Sequence, residues 1–332
     1  MKIISKNFKL LTVFLLAIGL TACNNDDDNT PNPTTTVVDV AAANGLTSLA
    51  AALTVTGLVD DLQGAGPFTV FAPTNDAFSA LLTATGLDLD NLSAAEEDLV
   101  RNILLNHVIV GSSISSTNLV GLGSGYAKTM ATGPNNTNLS LYFTTSNGVI
   151  LNGNAEVINA DNTATNGVVH IVDEVIGLPT IATFATTNPA LDTLVSALSY
   201  ADTGSPTVPY INTVSDASAG PFTVFAPTND AFGNVLAELN LTGFGEGNDE
   251  LNAATTDAVL LMHIVSGNIQ SSQLPNGTVG TLGGDITADN TAFTLTDGLN
   301  REIGIITDLV DIQAINGVVH VVDTVIRPGS AD

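Results

Sequence analysis

Histidine is the side chain in this sequence best suited to acid–base or metal chemistry, and its four copies occupy matching places. His107 and His263 each follow a leucine-rich stretch, and His170 and His320 each lie inside a valine-rich stretch. An imidazole can bind a metal or transfer a proton near neutral pH. In apolar surroundings it is more often a buried residue whose nitrogens are satisfied by the backbone. We therefore interpret all four as core residues that hydrogen-bond to the backbone.

Pairs of asparagine and aspartate are the next candidates, and they follow the same threonine in both halves of the chain. The two runs are Thr74-Asn75-Asp76 and Thr228-Asn229-Asp230. Each run precedes a predicted helix, where such side chains cap free N–H groups and an anion is favoured by the helix dipole. We interpret both runs as helix starts and not as catalytic carboxylates.

Motifs that would define a reaction are not found in the sequence. It contains no GxSxG elbow, no HExxH and no cysteine-based metal spacing. The glycine-rich stretches 121–125 and 243–247 lack the context of a phosphate-binding loop and are predicted to be loops. Asp285, Asp289 and Asn290 offer the hard oxygens that Ca²⁺ prefers, but they lack the spacing of an EF-hand, so solvated turns are expected. The sequence predicts no catalytic residue, resident metal or cofactor, and no enzyme.

The N-terminus predicts export and lipidation. Three lysines precede Leu10–Leu20, an apolar stretch of 11 residues that is too short to span a bilayer and fits a signal peptide. Leu20-Thr21-Ala22-Cys23 resembles a bacterial lipobox, and Cys23 is the single cysteine of the chain. We predict a signal peptide at 1–22 and lipidation of Cys23. The alternative is an ordinary signal peptide followed by an incidental cysteine.

The residues after Cys23 are polar and predict a disordered tether over 23–36. Asp26, Asp27 and Asp28 resemble the acidic surface-export signal of some Bacteroidetes lipoproteins, or they form a simple soluble spacer. No later segment is long and apolar enough for a transmembrane helix. The lipid is therefore the expected membrane contact, and the expected location is the bacterial outer membrane, facing the cell surface.

Charge excludes one class of partner. After the signal peptide, 33 acidic residues face only Arg101, Lys128, Arg301 and Arg327, which is a formal charge of −29. Such a surface repels nucleic acid and anionic lipid, and the sequence has no basic patch. Nucleic-acid binding is excluded, whereas recruitment of divalent cations is compatible with the charge.

An internal repeat defines the domain organisation. Residues 65–78 and 219–232 share the identical sequence AGPFTVFAPTNDAF, and NGVVHIVD at 166–173 recurs as NGVVHVVD at 316–323. Both copies recur after about 150 residues, a common domain size and too long for a solenoid repeat. We predict one domain at 37–179 and a second at 180–328. The short connection between them, 175–183, indicates limited freedom between the domains.

Helices precede strands in the first half. The predicted elements are two short helices in Val37–Leu53, a buried strand at Phe68–Ala72, a helix from Thr74 or Asn75 to Leu82, a helix at Ser93–Val110, and strands at Leu139–Thr145, Gly148–Leu151, Glu156–Asn159 and Val168–Val175. The Ser93–Val110 helix is predicted from an apolar stripe that contains Leu99, Ile103 and His107. Ser146-Asn147-Gly148 predicts a hairpin turn.

The second half repeats this order. The predicted elements are helices in Ile181–Ala201, a strand at Phe222–Ala226, a helix at Asn229–Leu239, a helix at Ala253–Val265 that carries His263, and strands between Thr278 and Val325. Ser205–Val214 contains two prolines and is predicted to be an inserted loop. Helices followed by strands in each half predict the α+β class.

These motifs resemble the fasciclin-like (FAS1) family. FTVFAPTNDAF at 68–78 and 222–232 matches the first family motif, and NGVVHIVDEVI at 166–176 and NGVVHVVDTVI at 316–326 match the second. The resemblance implies two tandem FAS1-like domains, each a wedge-shaped β-sheet packed with helices, used in extracellular adhesion. The tyrosine of the family's Tyr-His pair is replaced by Asn106 and Met262. The integrin adhesion associated with that pair in animal relatives is therefore not expected here.

Three functions are compatible with this resemblance and the predicted location. The first is a surface-anchored adhesion module that binds an extracellular protein or polysaccharide through strand edges or loops. The second is a structural component of the envelope or biofilm matrix that associates with itself or through Ca²⁺. The third, least favoured, is a hydrolase of surface glycans, because no motif selects a carboxylate pair. A fold alone does not define a function.

Overall fold

The computed structural model describes residues 35–329. The predicted signal peptide, the predicted lipidation at Cys23 and all but the last two residues of the predicted tether lie outside the described residues. Contacts group the described residues into one compact unit, so both repeats belong to the same unit. None of the described helices is both long and apolar enough to span a bilayer.

The first repeat places helices before most of its strands. Its elements are α1 (Val37–Ala43), α2 (Thr47–Val55), α3 (Val59–Gln63), β1 (Phe68–Pro73), α4 (Asn75–Thr85), α5 (Ala94–Leu105), β2 (Val108–Val110), α6 (Ser116–Leu122), β3 (Ser124–Thr132), β4 (Asn138–Thr144), β5 (Ile150–Leu151), β6 (Ala155–Ala164) and β7 (Gly167–Val172). The strands form one seven-stranded sheet in the order β2-β1-β7-β6-β5-β4-β3. Only β1 and β7 are parallel, and the other neighbours are antiparallel.

The second repeat follows the same plan. Its elements are α7 (Ile181–Thr187), α8 (Asp192–Ala201), α9 (Tyr210–Ser215), β8 (Phe222–Pro227), α10 (Asn229–Leu239), β9 (Gly243–Phe244), β10 (Glu250–Leu251), α11 (Ala253–Leu261), β11 (Ile264–Ser266), β12 (Gly277–Thr281), β13 (Gly284–Asp289), β14 (Thr294–Thr296), β15 (Glu302–Gly304), β16 (Ile312–Ala314) and β17 (Gly317–Val322). The sheet orders are β11-β8-β17-β16, β12-β13-β14-β15 and the pair β10-β9. Again β8 and β17 are parallel.

The strand formed by the first motif lies inside each sheet and not at its edge, which explains why the motif is so apolar. All six residues of β1 are buried, because the strand lies between two neighbours and is covered on both faces. Alternate residues face opposite sides: Phe68 and Val70 join a core with the N-terminal helices, whereas Phe71 joins a core with the β3–β6 strands. The motif is therefore a core strand with a cluster on each side.

The predicted α+β class with two tandem domains is confirmed. The two short helices at the start, the strand at Phe68–Ala72 and the helix at Asn229–Leu239 are found within one or two residues of their predicted bounds. The predicted turn joins β4 to β5, and its Gly148 has a φ of 87°. Glycine adopts this left-handed region without the steric penalty of a Cβ.

Two predicted helices are too long. The helix predicted at Ser93–Val110 ends at Leu105, and the helix predicted at Ala253–Val265 ends at Leu261. In both cases the β-branched residues that follow form a short edge strand beside the strand of the first motif, β2 against β1 and β11 against β8. Local periodicity suggests a continued helix, but pairing with the sheet is decided by tertiary contacts. The predicted apolar stripe of Leu99, Ile103 and His107 is also wrong, since Leu99 is 41% exposed.

Several other predicted bounds are also wrong. Helix α6 and strand β3 occupy a region where a glycine loop was predicted at 121–125, although Ser115 and Asn118 form a capping box there. The predicted loop at Ser205–Val214 contains the start of α9, whose Tyr210 is fully buried. The glycine loop at 243–247 begins with β9. Strand β6 is six residues longer than predicted, and β7 ends three residues earlier.

Candidate functional site

The first family motif places its polar residues at the junction of β1 and α4. The Thr74 hydroxyl accepts from the Ala77 N–H at 3.2 Å and so caps α4. The Asn75 side chain accepts from the Ser48 N–H at 3.0 Å and donates to the Gly45 carbonyl at 2.9 Å. Asparagine therefore ties the start of α4 to the turn between α1 and α2.

The second copy repeats this arrangement. Thr228 caps α10 by accepting from the Ala231 N–H at 3.2 Å. Asn229 accepts from the Thr193 N–H and donates to the Pro189 carbonyl, both at 2.8 Å. The neighbouring aspartates differ in character, because Asp76 and Asp230 are exposed in the first turns of their helices. An external partner can reach these carboxylates, as it can the exposed Asn75, whose side chain is already bonded within the chain.

His107 lies in the turn between α5 and β2, with a side chain that bridges two backbone groups. Its Nδ1 is 2.7 Å from the Ile103 carbonyl, and the Ile176 N–H donates to its Nε2 at 2.8 Å. A carbonyl can only accept and an amide can only donate, so the proton resides on Nδ1 of a neutral ring. Burial lowers the pKa of His107 to about 4, which agrees with this neutral form.

His263 repeats the arrangement in the second repeat. Its Nδ1 faces the Val259 carbonyl at 2.9 Å, and the Ile326 N–H donates to its Nε2 at 2.9 Å. Burial lowers its pKa to about 4 as well. Each histidine thus fastens the end of the second family motif to the helix that precedes the short edge strand.

His170 and His320 use the opposite tautomer. In β7, Nε2 of His170 donates to the Ile114 carbonyl at 2.8 Å, and Nδ1 accepts from the Asp161 N–H at 3.2 Å. In β17, His320 makes the same two contacts with Ile269 and Asp311, at 2.9 and 3.2 Å. Burial lowers the pKa of both imidazoles. All four histidines are therefore neutral backbone bridges, with both ring nitrogens engaged.

The asparagine that opens the second motif has a role that the sequence did not reveal. Asn166 lies in the turn before β7, and its side chain accepts from the Val37 N–H at 2.9 Å and donates to the carbonyls of Leu62 and Gly64 at 2.9 and 2.8 Å. Asn316 makes the equivalent three bonds in the second repeat. Only the exact recurrence of the NGVVH motif signalled that this residue is constrained.

The two residues that replace the tyrosine of the family's Tyr-His pair, Asn106 and Met262, lie inside the molecule. Asn106 is fully buried, donates to the Gly177 carbonyl at 2.9 Å and accepts from the Thr129 hydroxyl at 3.1 Å. Met262 is buried in the core formed by β11–β15. In both repeats the residue before the histidine thus packs within the fold and does not present a side chain to a partner.

Of the residues considered for calcium, Asp289 and Asn290 are used in a local turn, whereas Asp285 lies in β13 opposite Gly280 and not in the expected solvated turn. The Asp289 carboxylate accepts from the N–H groups of Thr291 and Ala292, both at 2.9 Å, and Asn290 donates to the Leu274 carbonyl at 2.9 Å. Between residues 35 and 329 no three histidine, cysteine, aspartate or glutamate side chains are grouped so that they could hold a metal ion. The arrangement is that of capped turns.

The arginines pair with acidic side chains of the same chain. Arg101 pairs with Asp61 at 3.4 Å, and Arg327 pairs with Glu238 at 2.7 Å. Arg301 binds Asp297, which is itself buried. These contacts leave an exterior dominated by carboxylates, which favours cationic partners.

Lys128 lies at the junction of the two repeats. Its ammonium donates to the Ser140 hydroxyl at 3.1 Å and to the Asp311 carbonyl of the second repeat at 2.5 Å. Burial lowers the pKa of Lys128 to about 8, opposed by the Asp311 carboxylate. The Gln313 N–H donates to the same Ser140 hydroxyl at 2.9 Å.

Aromatic packing completes the junction. Tyr142 of the first repeat is buried in the helix-side core of the second. Tyr126 meets Phe184 edge-on with ring centroids 5.6 Å apart, and its hydroxyl accepts from Asn188 at 3.1 Å. Buried aromatic contacts of this kind stabilise an interface beyond the area they bury. The repeats therefore share part of one core.

Comparison with known proteins identifies the family. The fasciclin domain model matches residues 44–179 and 189–328, which are the two repeats. The chain therefore belongs to the fasciclin domain family, and the resemblance seen in the motifs is confirmed. The domain bounds of 37–179 and 180–328 stay a prediction.

Relatives from distant organisms share parts of the chain. Protein sll1483 of Synechocystis is 39% identical over 142 residues, which is 42% of this chain and 72% of that protein. Cell surface glycolipoprotein MPB83 of Mycobacterium bovis is 33% identical over 159 residues, covering 45% and 60%. Transforming growth factor-beta-induced protein ig-h3 of Sus scrofa is 27% identical over 284 residues; that match covers 82% of this chain but only 36% of the relative.

Among solved structures, the FAS1 domain pair from the insect cell adhesion molecule fasciclin I matches 85% of this chain and 97% of its own. Its sequence identity is 16% and its TM-score is 0.49.

Proposed function

We propose that this chain is a surface-anchored adhesion lipoprotein that uses two fasciclin domains to bind an extracellular protein or polysaccharide. The observation that carries the proposal is the presence of two fasciclin domains behind an N-terminus that resembles a lipobox. The surface glycolipoprotein among the relatives supports the same location. The negative exterior and the two domains on one chain support binding at a cell surface, since two weak sites gain avidity.

Within each domain, structural residues and candidate binding surfaces are different parts of the fold. The motif histidines and asparagines hold backbone segments together, so ligand contacts fall to exposed loops and strand edges. Asp76 and Asp230 are exposed and follow the capping threonines, which recur in both repeats. Asp323 is also exposed and directly follows β17. We propose no catalytic role for these carboxylates.

Anchoring by Cys23 is part of the proposal. Two or more acyl chains hold a protein stably on a membrane, whereas one chain binds only marginally. A lipidated Cys23 would therefore retain the chain on the outer membrane, with residues 23–36 as the tether. The acidic run Asp26–Asp28 supports display on the outer face.

The test is whole-cell display and binding with wild type, Cys23→Ala and a matched tether control, Thr34→Ala. We expect protease-accessible display and capture of immobilised protein or polysaccharide in wild type and Thr34→Ala, and loss of both in Cys23→Ala. Display without capture but with Ca²⁺-dependent clumping would instead support the matrix role. Absence of display in wild type would contradict an outward-facing function.

A further inference from the structure

Each repeat contains the same small cluster of a serine, an aspartate and a strand histidine. The clusters are Ser116, Asp161 and His170 in the first repeat and Ser271, Asp311 and His320 in the second. In both, the serine N–H donates to the aspartate carboxylate, at 2.8 and 2.7 Å, and the aspartate N–H donates to the imidazole at 3.2 Å. Both aspartates have a positive φ, 61° and 55°. The backbone therefore presents the two aspartates in the same way.

The strand that follows each aspartate pairs in the same register. Thr163 is opposite Val168, and Gln313 is opposite Val318, 150 residues further on. The Gln313 N–H points away from β17, because it donates to Ser140 of the first repeat. By the shared register, the Thr163 N–H points away from β7.

Only the second cluster is covered by another part of the described chain. The hairpin of β3 and β4 sets Lys128 opposite Ser140, and this pair contacts the Asp311 carbonyl and the Gln313 N–H at 2.5 and 2.9 Å. In the first repeat Asp161 and Thr163 are exposed. Within residues 35–329 the Asp161 carboxylate receives hydrogen bonds only from Ser116.

We propose that the outer edge of β6 from Asn159 to Ala164, with Asp161 at its bend, is a docking site for an extended protein segment that presents a lysine. At the junction, the Lys128 ammonium and the Ser140 hydroxyl occupy two backbone groups of the second repeat, the Asp311 carbonyl and the Gln313 N–H. The first repeat offers the matching backbone positions at Asp161 and Thr163 to solvent, with the Asp161 carboxylate beside them. A strand edge supplies main-chain hydrogen bonds to an added strand, and the carboxylate selects a cation.

The charge of the chain selects a different protein as the occupant. After the predicted signal peptide Lys128 is the only lysine, and it already binds Asp311 in its own chain. A second copy therefore has no spare lysine to offer, and two chains of −29 repel each other. The inference rests on the proposed binding function and names the chemistry of its partner.

The experiment uses a backbone-cyclised peptide with the sequence of residues 124–144, the β3–β4 hairpin. The peptide is titrated into the protein without its lipid, and NMR records the chemical-shift changes of the protein. We expect shifts at 159–164 in wild type, and roughly five- to tenfold weaker binding for Asp161→Asn or for a peptide with Lys128→Met. Thr163→Arg, an exposed change that repels lysine, should weaken binding similarly. Asp98→Asn removes one charge from an exposed site on α5 and should leave affinity unchanged.

Equal affinity of wild type and Asp161→Asn would overturn the proposal, as would an absence of shifts at 159–164. Sedimentation of wild type and Asp161→Asn at the same concentration tests for self-association. A wild-type dimer that Asp161→Asn abolishes would assign the edge to a second copy of the chain and reject the lysine partner. The titration needs neither lipid nor cells. Its failure is therefore distinguishable from failure of the adhesion proposal.

Discussion

At the scale of single residues, the buried histidines make the stability of this protein sensitive to acid. His107 and His263 are neutral in the fold, with pKa values lowered by burial to about 4 from 6.5. Between these values the unfolded chain binds more protons than the folded chain, so the free energy of unfolding falls as the pH falls. Each histidine accounts for about 3 kcal/mol across this window.

We predict that the double variant His107→Gln, His263→Gln has a much weaker dependence of stability on pH between 6.5 and 4. The variant is less stable than wild type at pH 8, because two bridges between backbone groups are lost. Urea unfolding at a series of pH values measures both effects. An unchanged slope in the double variant would show that other groups control the acid response, and Asp98→Asn serves as a control for a simple charge change.

At the scale of elements, the parallel pairing of the two family motifs depends on a close backbone approach. A Cβ on Gly167 would lie 2.2 Å from the Phe68 carbonyl oxygen, and a Cβ on Gly317 would lie 2.1 Å from that of Phe222. The atoms that an added Cβ would meet belong to the backbone of a paired strand, so they cannot move aside as a flexible side chain could. The glycine therefore allows β7 to lie against β1, and β17 against β8.

Gly167→Ala is expected to destabilise the fold by about 3 kcal/mol or more, since strands β1 and β7 would have to separate. The matched change Gly233→Ala lies in α10 with nothing within 4 Å of the new methyl group. It should stabilise the protein by about 0.5–1 kcal/mol through helix propensity. Chemical denaturation of both variants provides the comparison, and similar effects in the two would refute the explanation from backbone contact.

At the scale of the whole molecule, the two repeats share a core. Tyr142 belongs to the first repeat by sequence but packs with the helices of the second, and Lys128 links the two through the Asp311 carbonyl. The short connection at 175–183 indicated limited freedom. The shared core gives that indication a physical cause.

We predict one cooperative unfolding transition for wild type and a separation into two transitions for Tyr142→Ala. The truncation should cost about 3–5 kcal/mol, because it leaves a cavity at the junction. Calorimetric and van't Hoff enthalpies should agree for wild type and disagree for the variant. Tyr200→Ala removes a partly exposed tyrosine within the second repeat and should keep a single transition. Two transitions in wild type would show that the junction does not couple the repeats.

Sequence alone was sufficient for features that depend on local pattern and repetition. The exact repeats defined two domains, the apolar run at 68–72 predicted a buried strand, and the Thr-Asn-Asp runs predicted helix starts. Each of these signals is set by neighbouring residues: an uninterrupted apolar run, a capping side chain, a proline or glycine boundary. The interpretation of the histidines as buried backbone partners also came from their apolar surroundings.

Tertiary structure decided the features that depend on residues far apart in the chain. Val108–Val110 is a strand and not the end of a helix, because its partner is β1, some 40 residues earlier. Asn166 binds backbone groups more than 100 residues away, which no local pattern encodes. The duplicate of the occupied junction at Asp161 likewise follows from strand register and exposure. A sequence specifies these contacts only through the whole fold, because their free energy is gained when distant segments meet.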